Sequence, residues 1–133
     1  MSKIKLLYFD FNFWRIDILR LSLAYAGIDY ELERIPRKDW ARFKDKQPFG
    51  QLPVMYYENN IYCHTHSLAT FCASKSNLYS SEEKKKIIIH QVIDWANEIT
   101  YRIAHSIREK NPDNQKNLEE YSLKKIFIHG LDI

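Results

Sequence analysis

Pro48-Phe49-Gly50-Gln51-Leu52-Pro53-Val54, followed closely by His66-Ser67-Leu68-Ala69, holds the residues best suited to recognition chemistry. Proline cannot donate to a sheet ladder, so Pro53 must open a strand or lie on an edge. If the Leu52–Pro53 bond is cis, the N–H and C=O of Leu52 turn outward and can pair with an extended ligand. His66-Ser67 before an apolar run reads as a helix start, and helix N-termini attract carboxylates. Two docking points that close in sequence suit a peptide-like anion. An edge proline followed by an ordinary capped helix is the plainer reading of the same residues.

Other chemistry is sparse. Cys63 and Cys72 are the two cysteines, without a CxxC pair or a metal-ligand spacing. That suits a reducing cytoplasm and argues against a disulfide framework, a dithiol redox site or a metal site. Lys84-Lys85-Lys86 is the one basic run, and the net charge of +3 is too small to imply nucleic acid. A chain of 133 residues with 45% hydrophobic and 28% charged residues is globular, with room for one domain or a small domain with an appendage. The start Met1-Ser2-Lys3-Ile4-Lys5 has no long apolar segment, and no run reaches membrane-spanning length. The expectation is a soluble cytoplasmic protein that binds neither nucleic acid nor membrane.

The elements that must position these residues follow from hydrophobic spacing. Ile4–Phe9 reads as a buried first strand and Asp10–Phe13 as a turn. From Trp14 the pattern becomes helical through Ile18, Leu19, Leu21, Ser22, Leu23 and Ala26, and Gly27 ends it. Asp29–Ile35 alternates as a second strand, so the first two strands should be parallel with a right-handed crossover. Pro36 ends it, and Lys38–Lys44 reads as a short helix around Trp40. Leu52–Tyr57 and Ile61–Cys63 read as a hairpin about a turn at Glu58-Asn59-Asn60, with a helix over Ser67–Lys75. The order β-α-β-α-β-β-α is the thioredoxin-like arrangement. Beyond a polar stretch, Glu82–Lys110 reads as one long helix through Ile88, Val92, Trp95, Ile99 and Ile103. Asn111-Pro112-Asp113-Asn114 reads as a break. A last helix over Leu118–Ile128, carrying Leu118, Tyr121, Leu123 and Ile126, closes at Gly130.

The fold class expected is therefore α/β, with a thioredoxin-like domain over residues 1–78 and a partial all-helical domain over residues 79–133. In this order the residues resemble glutathione transferases, most closely the sigma class with its prostaglandin-D-synthase-like members. Leu7-Tyr8-Phe9, Ile18–Leu21, Leu23–Glu31, Arg34-Ile35 with Asp39-Trp40, Pro48–Val54 and Ser67-Leu68-Ala69 carry the resemblance, over nearly all of residues 4–76. It implies that Tyr8 is the catalytic tyrosine whose hydroxyl hydrogen-bonds the glutathione sulfur. Trp40 and Lys44 match positions that hold the glycine carboxylate. Gln51 and Leu52, ahead of Pro53, match the main-chain partners of the cysteinyl unit. Ser67, with His66 where the family has glutamine or glutamate, matches the receiver of the γ-glutamyl carboxylate. Asp94 is the loosest match, to an acidic residue lent across a dimer. Glutathione is then a substrate and no cofactor is implied; a small electrophile is the second substrate, and a homodimer the expected assembly.

The chain departs from the family in three places. Asp10-Phe11-Asn12-Phe13-Trp14-Arg15 has no glycine and one extra residue where the family has a glycine-bearing turn and an arginine, which brings Phe13 and Trp14 close to Tyr8. The hairpin Tyr57–His64 reads as longer, with a bulged turn at Asn59-Asn60. The chain also stops early, as a C-terminally truncated form would, leaving little beyond the first two helices of the second domain. Ile89, Ile93 and Tyr101 should then lose partners. The functions in contention are a glutathione transferase active in detoxification, by conjugation or peroxide isomerisation, and a glutathione-binding or interaction module without turnover. A thioredoxin-type oxidoreductase would need a cysteine within Asp10–Arg15, and there is none.

Overall fold

The computed structural model describes residues 3–129. The chain forms two compact units, Met1–Lys86 and Ile87–Ile133. In the first, strand β1 (Ile4–Phe9), helix α1 (Trp14–Tyr25) and strand β2 (Tyr30–Ile35) make the expected crossover, with β1 and β2 parallel. A 3-10 turn at Arg37–Asp39 runs into the short helix α2 (Trp40–Lys44). Strands β3 (Val54–Tyr57) and β4 (Asn60–Cys63) and helix α3 (Thr65–Lys75) complete the unit. The sheet order is β2-β1-β3-β4, with β3 antiparallel to both neighbours. This is the thioredoxin-like arrangement.

Its core explains its element boundaries. Ile16, Leu19 and Leu23 of α1 recur on one face and are buried, as are Leu68, Ala69 and Cys72 of α3, and the two helices pack together. Leu6, Ile35, Val54 and Met55 supply the sheet's share. Each fully buried Leu or Ile contributes about 1.5–3 kcal/mol of burial. Helix α1 stops where Gly27 takes φ 65, and the Ile28 amide donates to the Leu23 carbonyl at 3.0 Å. On the edge strand β2, Glu31 and Glu33 pair with Lys5 at 3.3 and 2.6 Å, and Glu31 with Lys3 at 3.0 Å. These exposed pairs contribute about 0–1 kcal/mol each.

Several boundaries differ from the sequence expectation. β3 begins at Val54 rather than Leu52, because Pro53 has no N–H to give and pairing starts with Val54 against Leu7 and Cys63. The hairpin turn does not bulge. Glu58 (φ 49) and Asn59 (φ 64) both take the left-handed conformation of a tight two-residue turn, and Asn60 pairs with Tyr57 as the first residue of β4. The Asn60 side chain donates to the Glu58 carbonyl at 3.0 Å and holds that turn. α3 starts two residues before Ser67, at Thr65, after His64 with φ 70.

The long helix α4 (Glu83–Arg108) begins in the first unit and runs on into the second. The Glu82 amide just ahead of it donates to Ser80 Oγ at 3.1 Å. Helix α5 (Pro112–His129) starts six residues earlier than expected. Asn111-Pro112 is a helix start rather than a break: Asn111 Oδ1 accepts the Asp113 and Asn114 amides at 3.0 and 3.3 Å, and Pro112 occupies the first helical position. The expected closure at Gly130, and the side chains of Leu123 and Ile126, lie outside the described residues. The apolar stripe that marks α4 is largely exposed at Ile88, Val92, Trp95 and Ile103. Of the side expected to lack partners, Ile93 is buried while Tyr101 is exposed. Among the described residues, no helix is long and apolar enough to cross a membrane.

Candidate functional site

Tyr8 stands next to last in β1, with its side chain only 3% exposed. Burial pushes its hydroxyl up to about 12; Arg15 works against this, Asp17 adds to it and Arg34 again opposes it. The phenol is therefore protonated throughout the neutral range and can act only as a hydrogen-bond donor toward an anion. Its ring meets Phe9 and Phe11 edge-on, with centroids 5.6 and 5.8 Å away. The ring contacts from the following turn thus come from Phe11. Phe13 packs one ring further on, 6.2 Å from Phe11, and Trp14 lies beyond it, 6.4 Å from Phe13.

The remaining candidates follow in a chain of local contacts from the end of β1 to the start of α3. Trp40, the first residue of α2, is half-buried and meets Phe9 edge-on at 5.2 Å. Below it, the Gln47 amide donates to the Lys44 carbonyl and the Gly50 amide to the Gln47 carbonyl, at 3.1 and 3.0 Å. Gln47 is itself buried, and its side-chain oxygen accepts the Tyr56 hydroxyl at 3.2 Å. This brings Lys44 across Gly50. A methyl group on Gly50 would stand 3.3 Å from Lys44 Cε and 3.4 Å from Cγ. Gly50 holds φ 56, so glycine fits the position twice over.

Gln51 is exposed, Leu52 and Pro53 are buried, and the Leu52–Pro53 bond is cis. Phe49, also with positive φ, lays its ring 4.8 Å from that of His64, which links this loop to the start of α3. There the first ladder bond runs from the Leu68 amide to the His64 carbonyl at 3.0 Å. The amides of Thr65, His66 and Ser67 precede that bond in the first turn, where the helix dipole favours an anion. Ser67 is not the expected cap: it lies within that turn, and the N-cap position makes no side-chain hydrogen bond. Ser67 is exposed and His66 half-buried.

The structure thus links Tyr8 to Trp40 through Phe9, and Lys44 to Gln51 through Gly50. Ser67 also borders a cavity of about 400 Å³ lined by Met55, Ile61, Cys63, Leu68 and Phe71, none of them a candidate residue. Asp94 is exposed on α4, in the second unit. Burial raises the Cys63 thiol and pushes that of Cys72 up to about 12, the wrong direction for a redox nucleophile. Two charged neighbours of Tyr8 were given no role by the sequence reading. Arg15 is legible as an arginine shortly after the tyrosine. Arg34 is visible only through strand register, which sets it opposite Tyr8.

A thioredoxin-like unit followed by a helical segment is the fold this chain shares with solved structures of glutathione S-transferases and a prostaglandin synthase. No family model matches the chain. It is 27% identical to glutathione S-transferase 2 of Manduca sexta over 99% of this chain and 64% of that protein. It is 32% identical to the hematopoietic prostaglandin D synthase of Rattus norvegicus over 71% of this chain and 47% of that one. Among solved structures, prostaglandin synthase D of Nilaparvata lugens superposes with a TM-score of 0.82 at 30% identity, covering 91% of this chain and 60% of its own. The homologues are therefore sigma-class-like glutathione S-transferases and hematopoietic prostaglandin D synthases. The chain spans between about half and two thirds of the length of these relatives.

Proposed function

We propose that this protein binds glutathione and activates its thiol for conjugation to small electrophiles, in the manner its homologues' names describe. The observation that carries the reading is Tyr8: a buried hydroxyl, kept protonated, at the strand end from which Phe9 leads to Trp40. A free thiol titrates near roughly 8.5, and only its thiolate is a strong nucleophile. In the proposed arrangement the Tyr8 O–H donates to the sulfur and stabilises the thiolate, with Arg15 adding positive charge nearby. Trp40 and Lys44 receive the glycine carboxylate. Gln51 and the Leu52 main chain, ahead of Pro53, pair with the cysteinyl unit. The first turn of α3, with His66 and Ser67, receives the γ-glutamyl carboxylate at the positive end of the helix dipole.

Catalysis then consists of one bond exchange. The sulfur attacks the electrophilic carbon, the C–S bond forms, and the leaving group departs with its electron pair. The thiol proton passes to water beforehand. Relatives named hematopoietic prostaglandin D synthase add peroxide isomerisation as a second reaction class for the same activated thiol. We assign the thioredoxin-like domain to residues 1–78 and the helical domain to residues 79–133, and propose a cytoplasmic, homodimeric protein with a detoxifying role. Glutathione enters as substrate, with no bound cofactor.

The test pairs titration calorimetry of glutathione with thioether formation from a generic aryl halide. Binding with conjugation supports the proposal. Binding without conjugation replaces it by a glutathione-binding module, and absence of binding overturns both.

A further inference from the structure

The turn between Tyr8 and α1 has an unusual construction. Asp10–Phe13 contains no glycine, and none of its residues takes a positive φ. Its own main-chain bonds are few. The Asp10 amide donates to the Ile35 carbonyl at 2.9 Å, the Phe11 amide to the Phe9 carbonyl at 2.8 Å, and the Phe13 carbonyl already serves α1. Three acceptors at and just before this segment converge on one side chain. Arg34 Nη1 donates to the Phe9 carbonyl at 3.0 Å and to the Phe11 carbonyl at 2.7 Å, while Nη2 donates to Asn12 Oδ1 at 2.9 Å. Arg20, itself paired with Asp17 at 2.9 Å, reaches the same Asn12 oxygen at 3.4 Å.

We infer that Arg34 is a positioning residue whose guanidinium clamps the Asp10–Phe13 turn and so fixes Phe11 and Arg15 relative to Tyr8. Register places it: Arg34 is the β2 partner of Tyr8, so its side chain emerges beside the strand end that the turn must leave. Geometry then selects arginine. A rigid planar fork meets the last carbonyl of β1 and two acceptors of the turn at once, which a lysine ammonium on a flexible stem cannot do. The clamp also orders the ring wall next to Tyr8. Phe11, held through its own carbonyl, stacks on Phe9 at 5.7 Å with an interplanar angle of 6° and meets Tyr8 edge-on. Arg37 covers the Phe11 ring at 5.9 Å.

The downstream effect reaches the first turn of α1, which the clamped segment enters through Phe13. The charged groups that face Tyr8 are Arg15 and Asp17 from α1 and Arg34 from β2. Loosening the turn moves the first of these away from the hydroxyl and the sulfur it would serve. The catalytic part of this inference rests on the glutathione reading; the clamp itself does not.

Two variants and two readouts test it. Arg34→Lys keeps the charge and loses the fork, and Asn12→Ala removes one acceptor with little risk to folding. In the ligand-free protein, amide hydrogen exchange at Asp10 and Phe11 should accelerate at least about tenfold in Arg34→Lys and several-fold in Asn12→Ala, with Leu6 and Leu7 unchanged. In aryl halide conjugation, Arg34→Lys should lower kcat about tenfold and raise the pH midpoint, while KM for glutathione moves less than about threefold. Unchanged exchange at Asp10 and Phe11 in both variants overturns the clamp. Faster exchange with wild-type kcat and pH midpoint overturns its positioning role. A wild-type protein that binds no glutathione overturns the glutathione reading instead, and the exchange data still decide the clamp.

Discussion

Replacing Tyr8 by phenylalanine isolates the one hydroxyl on which the proposed chemistry depends. The ring remains, so its edge contacts with Phe9 and Phe11 and the buried strand end are kept. What goes is a neutral donor to a charged acceptor, an interaction of about 1.5–3 kcal/mol. At about 1.4 kcal/mol per pKa unit, the bound thiol should titrate about one to two units higher in the variant. The sign is fixed by which form the donor favours. In the proposed arrangement Tyr8 stabilises the thiolate, so its loss should raise the thiol pKa and lower activity on the acid side of the profile. At pH 6.5 the conjugation rate should drop about 10- to 100-fold, recovering toward wild type as pH approaches the new midpoint.

Tyr8 itself titrates only near 12, because it is buried, so no ionisation of its own enters this window. The assay is thiolate absorbance of enzyme-bound glutathione against pH, with aryl halide conjugation measured over the same range. A thiol midpoint that does not move, or a rate loss equal at every pH, would refute the donor role.

Three further outcomes follow from particular contacts. Ser67→Ala should leave unfolding free energy within about 0.5 kcal/mol, since Ser67 is exposed and caps nothing. Calorimetry should show its glutathione affinity weakened by about fivefold to tenfold, the worth of one hydrogen bond. Gly50→Ala introduces a side chain at φ 56 and 3.3 Å from Lys44 Cε. It should cost about 1–2 kcal/mol in urea unfolding and weaken glutathione binding, because Lys44 must move. Asn111→Ala removes the acceptor of two amides at the start of α5. It should cost about 1 kcal/mol, read as lost helicity by circular dichroism with glutathione binding unchanged.

Much of the first unit was legible because its signals are local. The aliphatic run Ile4–Phe9, the helical spacing through Leu19, Ser22 and Leu23, and Gly27 after the last turn each announce an element without help from the rest of the chain, though Ile16 and not Leu21 completes the buried face. The boundaries that moved are those where one residue type serves two structures. Asn-Pro can end a helix or begin one, and only the side-chain bonds of Asn111 decide it. Glu58-Asn59 reads as loop until both residues are seen to take left-handed backbone, which lets a short hairpin close without a bulge. On α4 the five-residue apolar stripe from Ile88 to Ile103 marked a helix correctly, yet periodicity reveals only that a helix has faces. It does not say which face is covered.

The same limit explains what was missed around Tyr8. The tyrosine, the loop through Gln51 and Pro53, and Ser67 were readable because their types and order are characteristic together. Arg34 was part of the resemblance but had no role in it: its importance lies in a pairing between strands 26 residues apart in number, Tyr8 with Arg34, and in carbonyls that any sequence would provide. With that register, the proposed thiol activation draws on the first unit, since every residue proposed to hold or activate glutathione lies before Lys86. The thiolate titration and the choice of electrophile are then separable measurements. The first follows from β1, β2 and α1, and can be read without knowing which electrophile the protein meets.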